Sequence, residues 1–189
     1  MIEEIMSAEA PPEEKAPQEE IALIGYLKDL AKRQDRAALA HLRRGLARRP
    51  GESMEMFPYV GRFVSETTNA AHDRAVFLTS ALFADYSDAP PNAGDLGRSV
   101  KQISEKSDSI ERRFVALLDA DADDLHYYLR QMIDLLKAYN VAVNWTELFK
   151  AIRGWSSESR YVQKRWARSF WGSAETNKQS DPQPEGETE

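Results

Sequence analysis

The chain has 189 residues, of which 42% are hydrophobic, and a formal net charge of −6. This is enough apolar material for one domain or two small ones, yet no apolar run approaches the roughly 20 residues of a bilayer span. With no cysteine, the sequence excludes a disulfide framework, a Cys-based zinc site and a thiol nucleophile.

The charge is unevenly laid along the chain. Residues 1–20 hold seven acids and one Lys, and residues 173–189 hold five acids and one Lys. The intervening residues 21–172 carry 23 Lys and Arg against 19 Asp and Glu, a balance of +4. Both ends are rich in Pro, Glu, Ser and Gln and poor in large apolar groups, so residues 1–18 and 173–189 are expected to be disordered acidic tails. Such a tail keeps a protein soluble, and it can also compete for a basic groove on the same chain. The start MIEEIMSAEAPPEEKAPQEE lacks the basic opening and apolar stretch of a secretory signal, which leads to the expectation of a cytoplasmic protein with no membrane partner.

Between the tails the periodicity is helical almost throughout, which predicts an all-α, two-lobed helical bundle of about nine helices. The predicted helices run from about 19 to 33, 35 to 49, 54 to 66, 69 to 86, 95 to 106, 108 to 118, 122 to 140, 144 to 154 and 157 to 171. Asp35, Asn69, Asp95, Asp108, Asp121, Asn144 and Ser156 or Ser157 stand where they can cap them. Pro58 lies inside the third segment and should kink it or shift its start. The segment SDAPPNAG, residues 87–94, divides an N-terminal half at 19–86 from a C-terminal half at 95–172. Whether the halves share a core is open at this stage.

Two basic concentrations stand out. In Lys28 to Arg49, eight cations face only Asp29 and Asp35. From Asp35 onward Leu39, Leu42 and Leu46 form an apolar seam, with Arg44 and Arg48 opposite and Arg36 and Arg43 flanking it. So few local acids suggest that these arginines are not spent on ion pairs within the helix. The second concentration is Lys150, Arg153, Arg160, Lys164, Arg165 and Arg168, against Glu158 alone. In its last helix Val162, Trp166 and Phe170 fall on one arc, while Arg160, Lys164 and Arg168 form a second stripe widened by Tyr161 and Arg165. One basic surface per half suits a protein that tracks a phosphate backbone, and guanidinium groups both grip phosphate through paired donors and stack on bases. Tyr161, Trp155 and Trp171 lie close enough to offer stacking surfaces, although Trp155 is better placed in the core.

Catalytic chemistry finds little support. His41, His72 and His126 lie on separate helices without a ligand partner at i+4, and there is no nucleophile elbow, P-loop or dinucleotide-binding turn. The cluster Asp119, Asp121, Asp123 and Asp124 begins like a calcium loop, but Asp124 stands where Gly is required and Arg130 where the closing Glu should be. It reads better as a helix start favoured by the helix dipole. No catalytic residue, metal or cofactor is predicted.

The C-terminal half carries a resemblance. Arg112, Arg113 and Phe114 open a helix; Leu129-Arg130-Gln131 and Leu135-Leu136-Lys137 follow; then come Asn144-Trp145, the run Val162 to Arg168 and Phe170-Trp171. With Leu42-Arg43-Arg44 in the N-terminal half, these elements resemble the CasB family, the small subunit of the type I-E CRISPR Cascade complex. The likeness covers most of residues 20–172, is most specific after residue 110, and includes neither tail. It implies a non-catalytic, all-helical protein that works as a pair of copies beside other Cascade subunits and crRNA. It also implies sequence-independent contact with the target and displaced DNA strands, which steadies the R-loop. Guide pairing would supply specificity, leaving the protein to supply charge and shape. On this reading Arg36, Arg43, Arg44 and Arg48 in one half, with Lys150, Arg153, Arg160, Lys164, Arg165 and Arg168 in the other, are the candidate nucleic-acid-binding residues. Arg112 and Arg113 either join them or pair with the Asp119 to Asp124 cluster. The alternative is a purely structural spacer docked on neighbouring subunits and guide RNA. A free-standing DNA-binding regulator is disfavoured, because the basic helix after Asp35 lacks Asn, Gln, Ser or Thr to read base edges.

Overall fold

The structure is a computed structural model and describes residues 16–65, 69–91 and 94–172, with side chains from residue 20 onward. Among these residues there are nine α-helices, four short 3₁₀ turns and no strand. The helices are α1 (Ala16–Lys32), α2 (Arg36–Arg44), α3 (Phe57–Val60), α4 (Ala70–Asp85), α5 (Leu96–Lys101), α6 (Asp108–Asp119), α7 (Leu125–Ala138), α8 (Trp145–Arg153) and α9 (Tyr161–Trp171).

Helix α4 is the centre of the molecule. Every residue from Ala75 to Ala84 is buried, so the helix is apolar on all sides rather than amphipathic, as expected of an element with no solvent face. It packs against α1, α2 and α8. Because α8 follows the 87–94 break while α1, α2 and α4 precede it, one apolar cluster runs from Leu23 to Phe170 through both halves. The core is common to the two.

Around this centre α6 pairs with α7, and α5 lies against α9. That last approach is close: a Cβ at Gly97 on α5 would collide with the backbone carbonyl of Trp166 on α9. Only a residue without a side chain permits it.

Several helix boundaries differ from those expected. Helix α1 begins at Ala16, inside the segment expected to be a tail; the rest of that segment and residues 173–189 lie outside the described residues. The helix expected over 35–49 stops at Arg44 and tightens into a 3₁₀ turn at Gly45–Ala47. The 54–66 segment divides into a 3₁₀ turn at Met54–Met56, the one-turn α3 and a second 3₁₀ turn at Gly61–Phe63. Pro58 sits in the first turn of α3, where its missing N–H costs nothing. The 95–106 helix likewise breaks after Lys101 and resumes as a 3₁₀ turn at Ser104–Lys106.

Caps at Asp35, Asn69, Asp95 and Asn144 form as expected, each side-chain oxygen accepting from an N–H three residues on. Elsewhere the cap moves. Ser107, not Asp108, accepts at the start of α6, and Asp124 rather than Asp121 precedes α7 without a side-chain cap. Helix α9 starts at Tyr161 after Arg160 rather than after Ser156 or Ser157. Arg160 holds a left-handed conformation, φ 50°, that costs a non-glycine residue about 1–2 kcal/mol. Its guanidinium is correspondingly tied down: Nη2 donates to the Leu118 carbonyl and pairs with Asp119 at 3.8 Å.

Candidate nucleic-acid interface

Folding sorts the ten candidate cations into two groups. In the N-terminal half, Arg43 is engaged at the C-terminus of α4. Its Nε and Nη2 donate to the Ala84 carbonyl at 3.2 and 2.8 Å, and Nε lies 3.5 Å from the Asp85 carboxylate. From the other side Lys137 of α7 donates to the Asp85 carbonyl at 2.6 Å and pairs with its carboxylate at 3.1 Å. Two cations thus satisfy the carbonyl end of the central helix, where the helix dipole is negative. Asp134, one turn before Lys137, has its carboxyl held above the usual range by burial and by the charge of Asp85.

Arg44 pairs with Glu55 at 3.0 Å, and His41 approaches the same carboxylate at 3.2 Å. These hydrogen bonds hold Glu55 below the ordinary carboxylate value. Arg36 and Arg48 are exposed and have no side-chain partner among the described residues. As expected, none of these arginines is spent on an ion pair within its own helix, but Arg43 and Arg44 find acids on distant elements, Asp85 and Glu55.

In the C-terminal half more of the candidate cations are paired. Glu20 of α1, 2% exposed, receives Lys150 at 3.3 Å and Arg153 at 3.9 Å. Lys150 also meets Glu147 at 3.2 Å. Burial works to lower its pKa, but the hydrogen bonds and charges of Glu147 and Glu20 outweigh it and hold the value above 10.5. Arg165 continues the chain to Glu147 at 3.4 Å and Asp95 at 3.8 Å, and Asp95 both caps α5 and accepts from Ser169 at 2.8 Å. Four elements, α1, α8, α9 and the α5 cap, are thus laced by cations counted as free when only the neighbouring sequence is read, and Arg160 separately ties the start of α9 to the end of α6.

Lys164 and Arg168 remain. Both are exposed, and neither has a partner among the described residues. On the helical wheel they share an arc with Tyr161 and Trp171, opposite the buried Val162, Trp166 and Phe170. The outward stripe of α9 therefore reads aromatic, lysine, arginine, aromatic. Trp155 is in the core, its indole N–H donating to Ala120 and its ring against Trp166. Arg112 and Arg113 are exposed and make no ion pair with the Asp119 to Asp124 cluster; Asp119 takes Arg160 and Asp123 takes Arg74 instead.

The histidines stay apart: His41 beside Glu55, His72 against the Phe63 carbonyl and His126 against the Asp123 carbonyl. Among the described residues no group of three metal-binding side chains assembles, and no helix is long and apolar enough to cross a membrane.

Comparison with known proteins places this arrangement. The family described as CRISPR-associated protein Cse2 matches residues 38–171. The Cse2 protein of Thermus thermophilus is 33% identical over 151 residues, 79% of this chain and 87% of that protein. The crystal structure of CasB from Thermus thermophilus superposes with a TM-score of 0.72 at 31% identity, covering 82% of this chain and 98% of the other. A chain of a CRISPR RNA-guided surveillance complex superposes with a TM-score of 0.69 at 25% identity, covering 81% and 91% respectively. The resemblance read from the C-terminal half and the extent of these matches agree: the chain belongs to the CasB, or Cse2, family of CRISPR-associated proteins.

Proposed function

We propose that the chain is a non-catalytic small subunit of a type I-E, crRNA-guided Cascade-type complex and steadies the R-loop through basic residues left unpaired by folding. The observation that carries this reading is the sorting of the cations. Lys150, Arg153, Arg160, Arg165 and Arg43 hold the chain together, whereas Arg36, Arg48, Lys164 and Arg168 stand in solvent without an acid among the described residues. A cation that keeps no intramolecular partner brings its full charge to a phosphate. Arg44 adds to the first group of free cations, since an exposed pair with Glu55 is worth little and exchanges readily.

R-loop formation exchanges one duplex for another of similar stability, so a few phosphate contacts are enough to bias it. Such contacts read no sequence, in keeping with specificity supplied by the guide. A chain similar to this one belongs to a CRISPR RNA-guided surveillance complex, which supports assembly with other subunits and crRNA. The spacer alternative is favoured by one observation, the exposed tyrosines Tyr127 and Tyr139 of α7 and its C-cap, which suit contact with a neighbouring subunit.

The test is target-DNA binding by the assembled complex carrying Arg36→Glu/Arg48→Glu or, separately, Lys164→Glu/Arg168→Glu. The reading predicts weaker binding of about tenfold or more for at least one pair, since each lost phosphate contact removes counterion release. Unchanged affinity in both, with normal assembly, would leave the spacer role standing.

A further inference from the structure

Helix α9 ends in an aromatic residue that the core does not require. Trp171 is 47% exposed, whereas Trp145, Trp155 and Trp166 are each at most 5% exposed. Its orientation is nevertheless fixed. The indole N–H donates to the Glu111 carboxylate of α6 at 2.9 Å, and the ring leans on Phe170 and Phe114 with centroids 4.8 and 5.9 Å away. Glu111 also lines an open recess of about 460 Å³ together with Asp108, Arg112 and Val115. The indole is braced by protein on one side while about half of the residue stays open to solvent.

Tyr161 marks the other end of the stripe. It is 48% exposed, and its phenol lies so close over Gly154 that any Cβ there would collide with it. The two rings are ten residues apart on one helix face, about 15 Å along the axis, with Lys164 and Arg168 between them. Exposed aromatic rings on either side of two unpaired cations match the pattern by which single strands are bound: phosphates on the charges, bases on the rings.

The geometry points to Trp171 as a stacking platform for an unpaired base of single-stranded DNA, with Tyr161 as a second, weaker one. This rests on the reading of Lys164 and Arg168 as phosphate contacts and adds the base to it. A rigid indole loses little conformational entropy when a base settles on it, and stacking tolerates any base because each has a π face. The contact therefore adds affinity for unpaired strands over duplex without adding sequence preference.

The experiment uses the full chain, with an oligo(dT) strand and an abasic strand of equal length, which carry the same phosphates with and without bases. Because Trp171 is the exposed tryptophan, saturating oligo(dT) should quench the exposed part of the tryptophan emission, and the abasic strand should not. Trp171→Ala should weaken oligo(dT) binding roughly tenfold and leave abasic binding unchanged. Trp171→Phe, which preserves packing on Phe114 and Phe170, should keep most of the affinity and lose the quenching. Lys164→Glu/Arg168→Glu should weaken both strands. Equal affinities of the wild-type chain for the two strands without quenching would overturn the stacking and leave the phosphate contacts intact. If charge reversal left both affinities unchanged, the phosphate reading would fail on its own terms.

Discussion

Adjacent residues on α9 meet different fates. Arg165 is drawn toward Glu147 and Asp95, while Lys164, one position earlier, reaches no acid among the described residues. The side chains differ by about 100° around the helix, and the acids that reach α9 here, Glu147 of α8 and Asp95 before α5, lie on the Arg165 side. Local charge counted along the chain therefore overstates the free basic surface, because neutralisation runs across the fold. What survives is a narrow outer stripe, and that selectivity gives Lys164 and Arg168 more weight than the same residues had in the sequence.

The contrast can be broken from either side. The largest effect belongs to the buried arc: Trp166→Ala empties a site 1% exposed that packs on Trp155 and under Gly97, and should cost about 3–5 kcal/mol in denaturant unfolding. Glu20→Gln removes the shared partner of Lys150 and Arg153. A fully buried pair would lose more, but both cations are partly exposed, so about 1–2 kcal/mol is expected. This loss has a pH signature. The raised Lys150 value means that its contribution is complete below 10.5 and disappears as pH rises through the raised value. Glu20→Gln should flatten that alkaline loss in a pH series of unfolding midpoints. Arg165→Ala, which cuts the link from Glu147 to Asp95, should cost about 0.5–1 kcal/mol. The outer pair should be the least costly: Lys164→Ala/Arg168→Ala should leave stability within about 0.5 kcal/mol of the parent. A large destabilisation there would mean that these cations also serve the fold.

Much of this architecture could be read in the sequence, for reasons that differ by element. The arc of Val162, Trp166 and Phe170 is fixed by helical periodicity, and all three are buried. The capping asparagines and aspartates before α2, α4, α5 and α8 signal those starts because the interaction spans only three residues. The family resemblance works for a related reason: Phe114, Leu129, Leu136, Trp145 and Trp166, which carry much of it, are core residues. Pro58 announced the break in the third helix, whereas those in the second and fifth were hidden, since each reflects tertiary fit. At Gly45, for example, the side chain of Met56 occupies the space a Cβ would need. The ion-pair network was hidden as well. Glu20 and Lys150 lie far apart in sequence, and their meeting depends on α1 packing against α8 across both halves. The exposed stripe therefore emerges by subtraction, once the fold shows which cations are already held.

The most direct measurement of that sorting is the salt dependence of target-DNA binding by the assembled complex, with the parent chain or with Lys164→Ala/Arg168→Ala. If the outer stripe meets phosphate, the slope of log K against log salt should fall by about 1.4 for a single strand, two contacts at roughly 0.7 each, while the unfolding midpoint stays put. An unchanged slope with unchanged affinity would contradict the account.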